Sequence, residues 1–166
     1  MIIVGVDPGS RVTGYGVIRT DGQRHECLTY GCIRCAADHD FPQSLRKIYD
    51  ALDSILAQYH PGTIAVESLF HAINVKSALV LGHARGVVLL CAARHEIPLH
   101  EYSPLEIKKA VVGYGRAEKS QLQHRTRLLL NLPQIPEPHD AAGALAVAVC
   151  HAHRQRFQDR IANVTR

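Results

Sequence analysis

The sequence predicts an α/β fold: a five-stranded mixed sheet, its first three strands antiparallel, flanked by helices. Three observations predict it. Three strand-like segments precede any helical periodicity, strands and helical stretches then alternate, and the last third is helical, giving the order βββαβαβααα. A chain of 166 residues, 46% hydrophobic and 20% charged, fits one domain with a sizeable core. That domain is expected over residues 1–157, with 158–166 a flexible C-terminal tail.

Ile2, Ile3, Val4 and Val6, interrupted only by Gly5, read as a strand buried on both faces. It ends at Asp7, and Pro8-Gly9 turns the chain. Residues 14–19 and 28–34 read as two more strands, with Asp21-Gly22 as a hairpin signal between them. The period then changes. Phe41, Leu45, Ile48, Tyr49, Leu52, Ile55, Leu56 and Tyr59 form the apolar stripe of a helix ended by Pro61-Gly62. Residues 63–66 are a short apolar strand closed by Glu67. Residues 75–95 are apolar on nearly every side, which predicts a helix buried on two faces, against the sheet and against another surface, for which a second subunit is a candidate. Gly82 and Gly86 would let another backbone approach it closely. Residues 98–102 are a weaker strand, and Ser103-Pro104-Leu105-Glu106 opens a helix with a capping box and Pro at its first position. A loop at 113–115, a helix over 118–130, a proline-rich connector over 133–138 and a last helix over 139–157 complete the chain.

The net charge is +4 before any of the 11 histidines is counted, which permits a polyanionic partner without requiring one. Lys76, Arg85, Arg94, Lys108, Lys109, Arg116, Lys119, Arg125 and Arg127 face only Glu96, Glu101, Glu106 and Glu118 in the same stretch. Such a basic half serves equally as a solvated face or a nucleic-acid footprint. No apolar run is expected to be long enough to cross a bilayer, and the N-terminus has no secretory pattern. A soluble, cytoplasmic protein without a membrane partner is therefore expected. Five scattered cysteines are not expected to pair. Cys32-x-x-Cys35 is half of a zinc pattern, but no second pair follows.

The chemistry lies in the acids. In a hairpin followed by a βαβ unit, the strand after the first helix lies parallel to strand one and beside it. Asp7 and Glu67 both close such strands and would sit side by side. Adjacent carboxylates repel, and a cation between them relieves the repulsion. Asp140 is a third candidate in the first turn of the last helix, where the helix dipole also favours an acid. Three converging carboxylates suit hard divalent cations, Mg2+ or Mn2+.

Residues 5–17, Gly-Val-Asp-Pro-Gly-Ser-Arg-Val-Thr-Gly-Tyr-Gly-Val, closely resemble the opening of the RuvC family of Holliday junction resolvases in the RNase H-like superfamily. So do residues 65–70, 77–86, 111–121 and 140–146, in order, and the similarity covers about residues 1–154. The resemblance implies an RNase H-like fold and a homodimeric, Mg2+-dependent endonuclease that nicks two strands of a four-way DNA junction symmetrically, in recombination and repair. It implies two metal ions per site, with Asp7, Glu67 and Asp140 as ligands and Mn2+ as a substitute. Lys108 and Lys119 match lysines near the cleaved phosphate, and Phe70 matches an aromatic used at the junction centre. Lys76, Arg85, Lys109 and Arg116 are further expected DNA contacts, and the RuvA–RuvB branch-migration complex is an expected partner. Two ions about 3.5–4 Å apart would activate a water and stabilise the leaving oxygen. Lys119 would offset charge on the phosphate, and Phe70 would stack on an unpaired base unless it is an ordinary core residue.

One position departs from the family pattern. A second acid usually follows the first by three residues, where this chain has Gly143. Residues three apart share a helix face, so an acid there would join Asp140 in the site. Gly143 supplies no ligand and costs about 1 kcal/mol of helix stability relative to Ala. His139, one turn before it, is a possible substitute ligand, although it lies about 100° around the helix from Asp140. The expectation is weakened binding of one ion and slower cleavage. The alternative reading is a junction-binding dimer that cuts poorly or not at all. An actin-like sugar kinase or ATPase also begins with strand, Asp and Gly-rich turn, but this chain lacks the second half such a cleft needs.

Overall fold

A computed structural model describes residues 1–36, 40–68 and 74–164. The elements are β1 (Ile2–Asp7), β2 (Val12–Thr20), β3 (His25–Arg34), α1 (Phe41–Tyr59), β4 (Thr63–Glu67), α2 (Val75–Arg94), β5 (Leu99–Tyr102), α3 (Pro104–Val112), α4 (Lys119–Leu129) and α5 (His139–Val164), in the order expected. The sheet order is β3-β2-β1-β4-β5. β1, β2 and β3 pair antiparallel, while β4 joins β1, and β5 joins β4, in parallel. β1 is therefore flanked on both sides, as its apolar run requires, and Ile3, Val4 and Val6 are buried.

Alternation along the strands separates two cores. Val4, Val6, Val17, Ile64 and Val66 face α1 and α2, where they meet Ile48, Leu52, Leu56 and Val88. Ile3, Ile18 and Ala65 face the other way and meet Leu145, Val147 and Val149 of α5 with Ile107 and Val111 of α3. On this second face the contact is made by backbone as much as by side chains. A Cβ on Gly5 would overlap the Ala144 carbonyl oxygen, and one on Gly14 would overlap that of Asp140. Ala141, Ala142, Ala144, Ala146 and Ala148 line the helix correspondingly. The small residues on both sides let α5 lie directly on β1 and β2.

Local signals set the helix ends. The Asp40 side chain accepts from the Gln43 N–H at 2.9 Å to start α1, and α1 ends at His60, which takes up φ 45°. The capping box expected at Ser103 and Glu106 starts α3, and Glu118 with Gln121 forms another before α4.

Two expectations are corrected. The last helix does not stop at Phe157 but continues to Val164, so the described part of the expected tail is helical. Residues 158–164 hold no Gly or Pro, and extending an already anchored helix needs no new nucleus. Second, α2 is long and apolar enough to cross a bilayer, because Arg85 is the only Asp, Glu, Lys or Arg between Lys76 and Arg94. It packs instead along α1 through Ala84, Val88, Cys91 and Ala92. The other face of α2 is open in the single chain, with Val75, Leu79 and Leu90 at 77%, 60% and 55% exposure, and it is the face expected to meet a second subunit. Cys32 and Cys35 also part company. Cys35 lies in the α1-side core and its thiol donates to the Ser44 carbonyl at 3.6 Å, while Cys32 faces Ala141 of α5.

Candidate metal centre and nuclease site

Strand periodicity puts Asp7 on the same face as Gly5, toward α5, and Glu67 on the same face as Ala65. The β1–β4 register pairs Val6 with Val66, so the two acids follow as neighbours at the carboxyl ends of both strands. Their side chains hydrogen-bond to each other. Asp140 arrives by a different route. Gly14 is the antiparallel partner of Asp7, and its missing side chain lets the start of α5 settle there, bringing Asp140 to the same edge. One strand pairing thus sets Asp7 beside Glu67, and one backbone contact brings Asp140 to the same edge, where its charge acts on Asp7.

The electrostatics follow from this crowding. Burial, then the charges of Glu67 and Asp140, push the Asp7 carboxyl up from 3.8 to about 8, against the opposing pull of Lys119. Burial also raises Glu67, while its bond to Asp7 and the charges of Lys119 and Lys108 hold it down. A hydrogen bond between two carboxyls requires a proton, so the pair keeps one at neutral pH. A divalent cation would replace that proton and relieve the same repulsion. Carboxyl donors suit a hard cation: Asp7 and Glu67 form the adjacent pair, and Asp140 acts on Asp7 through its charge.

Lys119 is the first residue of α4 and Lys108 lies in α3. Gly113, at φ 104°, ends α3 before the chain turns toward α4, and both lysines act on the acid pair from these two helices. Lys109 and Arg116 are exposed on the same α3–α4 segment, and Lys76 is exposed in the first turn of α2. Arg85 forms an ion pair with Glu101 beside β5. His139 is exposed at the start of α5 and is not among the groups that shift Asp7 or Glu67. Phe70 lies outside the described residues. Position 143 faces the centre: a Cβ on Gly143 would lie 2.8 Å from Asp7 Oδ2 and 3.6 Å from its Cγ. A side chain there would enter the acid site, as the helical spacing from Asp140 predicts.

Sequence reasoning passed over a second group. Asp53, Cys91 and His95 gather where α1 meets α2, with His95 Nε2 2.8 Å from Asp53 Oδ1. The Cys91–His95 spacing of one helical turn was a visible signal, whereas Asp53 comes from another helix and had none.

The family model for RuvC, crossover junction endodeoxyribonuclease RuvC, matches residues 3–151. The chain is 50% identical over 159 residues to crossover junction endodeoxyribonuclease RuvC of Alkaliphilus oremlandii, covering 96% of this chain and 97% of the relative. It is 51% identical over 152 residues to the protein of the same name from Desulforamulus reducens, covering 92% and 93%. The structure of Thermus thermophilus RuvC in complex with a Holliday junction substrate superposes with a TM-score of 0.91 at 29% identity, covering 95% of this chain and 96% of that one. The yeast mitochondrial Holliday junction resolvase, at 15% identity and a TM-score of 0.63, shares the fold. Of the two readings of the acid site, cutting and binding without cutting, these matches favour cutting. An acid-edged sheet of this topology, sharing half its residues with junction nucleases along almost its whole length, places the chain in the RuvC family of crossover junction endodeoxyribonucleases.

Proposed function

We propose that the protein resolves four-way DNA junctions by paired, symmetric phosphodiester hydrolysis at the edge formed by Asp7, Glu67 and Asp140. The observation that carries this reading is the placement of Asp7 and Glu67 side by side at the carboxyl ends of β1 and β4, with Asp140 and Lys119 near enough for their charges to act on Asp7. Asp7, Glu67 and Asp140 would hold Mg2+, or Mn2+ in its place, with two ions per site. When bound, these cations supply an activated water and charge stabilisation at the leaving 3′-oxygen. Asp7 and Glu67 give up their shared proton on loading and present carboxylates to the site. Lys119 offsets negative charge on the reacting phosphate, and Lys108 holds that phosphate from the α3 side. Lys109, Arg116 and Lys76 contact the DNA backbone, and these contacts make binding fall with salt. Arg85 joins them if DNA displaces Glu101, and Phe70 stacks on a base at the junction centre.

The uncovered face of α2, with Leu79, Gly82, His83, Gly86, Val87 and Leu90 lining a shallow apolar groove, supports a homodimer. A two-fold interface places identical sites on opposite sides of a junction, which matches paired cuts. The RuvA–RuvB branch-migration complex is the proposed partner, in the cytoplasm. His139 becomes a ligand only if the start of α5 rearranges, since it now stands in solvent.

A synthetic four-way junction tests this directly. Symmetric nicks in Mg2+ or Mn2+, with binding but no nicks in Ca2+, are expected; binding without nicks in every metal would overturn it. Gly143 leaves the site one carboxylate short, so Gly143→Asp is expected to raise the cleavage rate and tighten Mg2+ binding. An unchanged rate and affinity would mean that the side chain at 143 is irrelevant here.

A further inference from the structure

On the face of the sheet away from the acids, Cys91 from the last turn of α2 and His95, which caps it, lie against Asp53 of α1. The Cys91 sulfur, a His95 ring nitrogen and an Asp53 oxygen all lie within 4.8 Å of one another. His95 Nε2 is 2.8 Å from Asp53 Oδ1, and the Tyr49 hydroxyl donates to the same oxygen at 3.5 Å. Cys91 is 1% exposed, whereas the His95 and Asp53 side chains are 23% and 44% exposed. The thiol thus forms the floor and the other two groups the rim, with an approach from solvent.

We propose that Asp53, Cys91 and His95 form a second metal site, selective for a borderline transition cation of the Zn2+ class, with water in the fourth position. The ligand chemistry separates it from the acid edge. Thiolate and imidazole select zinc-like ions, whereas three carboxylates suit Mg2+. The spacing is compatible. Tetrahedral zinc with bonds of about 2.0–2.3 Å holds its ligands roughly 3.3–3.6 Å apart, within reach of side-chain adjustment from the present cluster. Binding breaks the Cys91 S–H bond and sends that proton to solvent, while His95 gives up the Nε2 proton it shares with Asp53 and takes one from water on Nδ1, so that the neutral ring offers its Nε2 lone pair. No electron is transferred. Thiol deprotonation accompanies binding, so affinity rises with pH. The bound ion ties the end of α2 to α1, independently of junction cleavage.

Cobalt is the probe, because thiolate-bound Co2+ gives a charge-transfer absorption in the near ultraviolet that a carboxylate site does not. The full-length protein is expected to show that band, to lose it in Cys91→Ser, and to keep it in the Cys32→Ser/Cys35→Ser double variant. His95→Gln, at a more accessible position, should weaken Co2+ binding about tenfold or more. Each variant is checked for retained junction binding, which reports folding. No band at excess Co2+, or a band that survives Cys91→Ser, overturns the site. Either outcome leaves wild-type junction cleavage, measured separately in Mg2+, untouched.

Discussion

The two faces of the sheet are closed in different ways. Toward α1 and α2, branched side chains meet branched side chains: Val4, Val6 and Val66 against Leu52, Leu56 and Val88. Toward α5, glycines of the strands meet the helix backbone, with Gly5 under Ala144 and Gly14 under Asp140. Side-chain packing can readjust after a change, whereas a backbone contact leaves almost nothing to give. The acid edge belongs to the second face. Asp140 reaches Asp7 only because α5 lies directly on the strands, so the less forgiving contact is the one that sets the spacing of the acids.

This contrast can be broken deliberately. The largest effect is expected from Gly5→Val, whose side chain would occupy the Ala144 carbonyl position and lift α5. A loss of about 4 kcal/mol or more in urea unfolding, with cleavage abolished, is the expected result. Leu52→Ala, on the opposite face, should cost about 2–4 kcal/mol. Below its melting transition, however, this variant should cleave junctions at nearly the wild-type rate, since its cavity lies across the sheet from the acids. Comparable losses of activity per unit of lost stability in the two variants would dissolve the distinction between the faces.

A smaller effect has the opposite sign. Asp7 titrates near 8 in the folded chain against 3.8 as a free carboxyl, so between those values the native state holds a proton that the unfolded state has released. Metal-free stability should therefore fall as pH rises from about 4 to about 8. Asp7→Asn should flatten that slope and stabilise the metal-free protein at pH 8 by about 2 kcal/mol while abolishing cleavage. The full shift would give more, but Glu67 competes for the same proton. A variant less stable than wild type at pH 8 would refute the strain at this edge.

The smallest effect lies at the far end of the α5 face. His151 is 6% exposed, with the Tyr102 hydroxyl 2.7 Å from its Nδ1, the His100 ring at 4.7 Å, and Arg154 over the Tyr102 ring. Burial, then the His100 charge, lower His151 from 6.5 to about 4. Between those values the unfolded state binds the extra proton, so stability should be lost as pH falls from 6.5 toward 4. His151→Gln should reduce that acid sensitivity in thermal melts; an unchanged pH profile would assign it to other groups.

Much of the site was legible because its logic is local. An apolar run ending in Asp7 and another ending in Glu67 needed only the period of a strand and the rule that a βαβ unit closes in parallel. The Ser103 capping box and the stripe of α1 were equally plain, since caps and stripes are settled within a few residues. The family resemblance singled out Gly143, helical spacing put it on the face of Asp140, and a Cβ there would indeed approach Asp7. Where reasoning failed, the deciding contact joined distant segments. Nothing near Arg85 announces Glu101, and nothing near Cys91 announces Asp53.

The sequence by itself determined the element order, the mixed sheet with β1 inside it, and the identity of the acids at its edge. Periodicity, capping and turn chemistry act over a few residues and are written in the chain. Only the tertiary structure decided which face of α2 packs on α1, that α5 stays helical to Val164, that Cys32 and Cys35 diverge, and how closely α5 approaches the strands. Those outcomes depend on which distant surfaces meet and how near their backbones can come. That closeness, set by Gly5 and Gly14 against α5, brings Asp140 to Asp7.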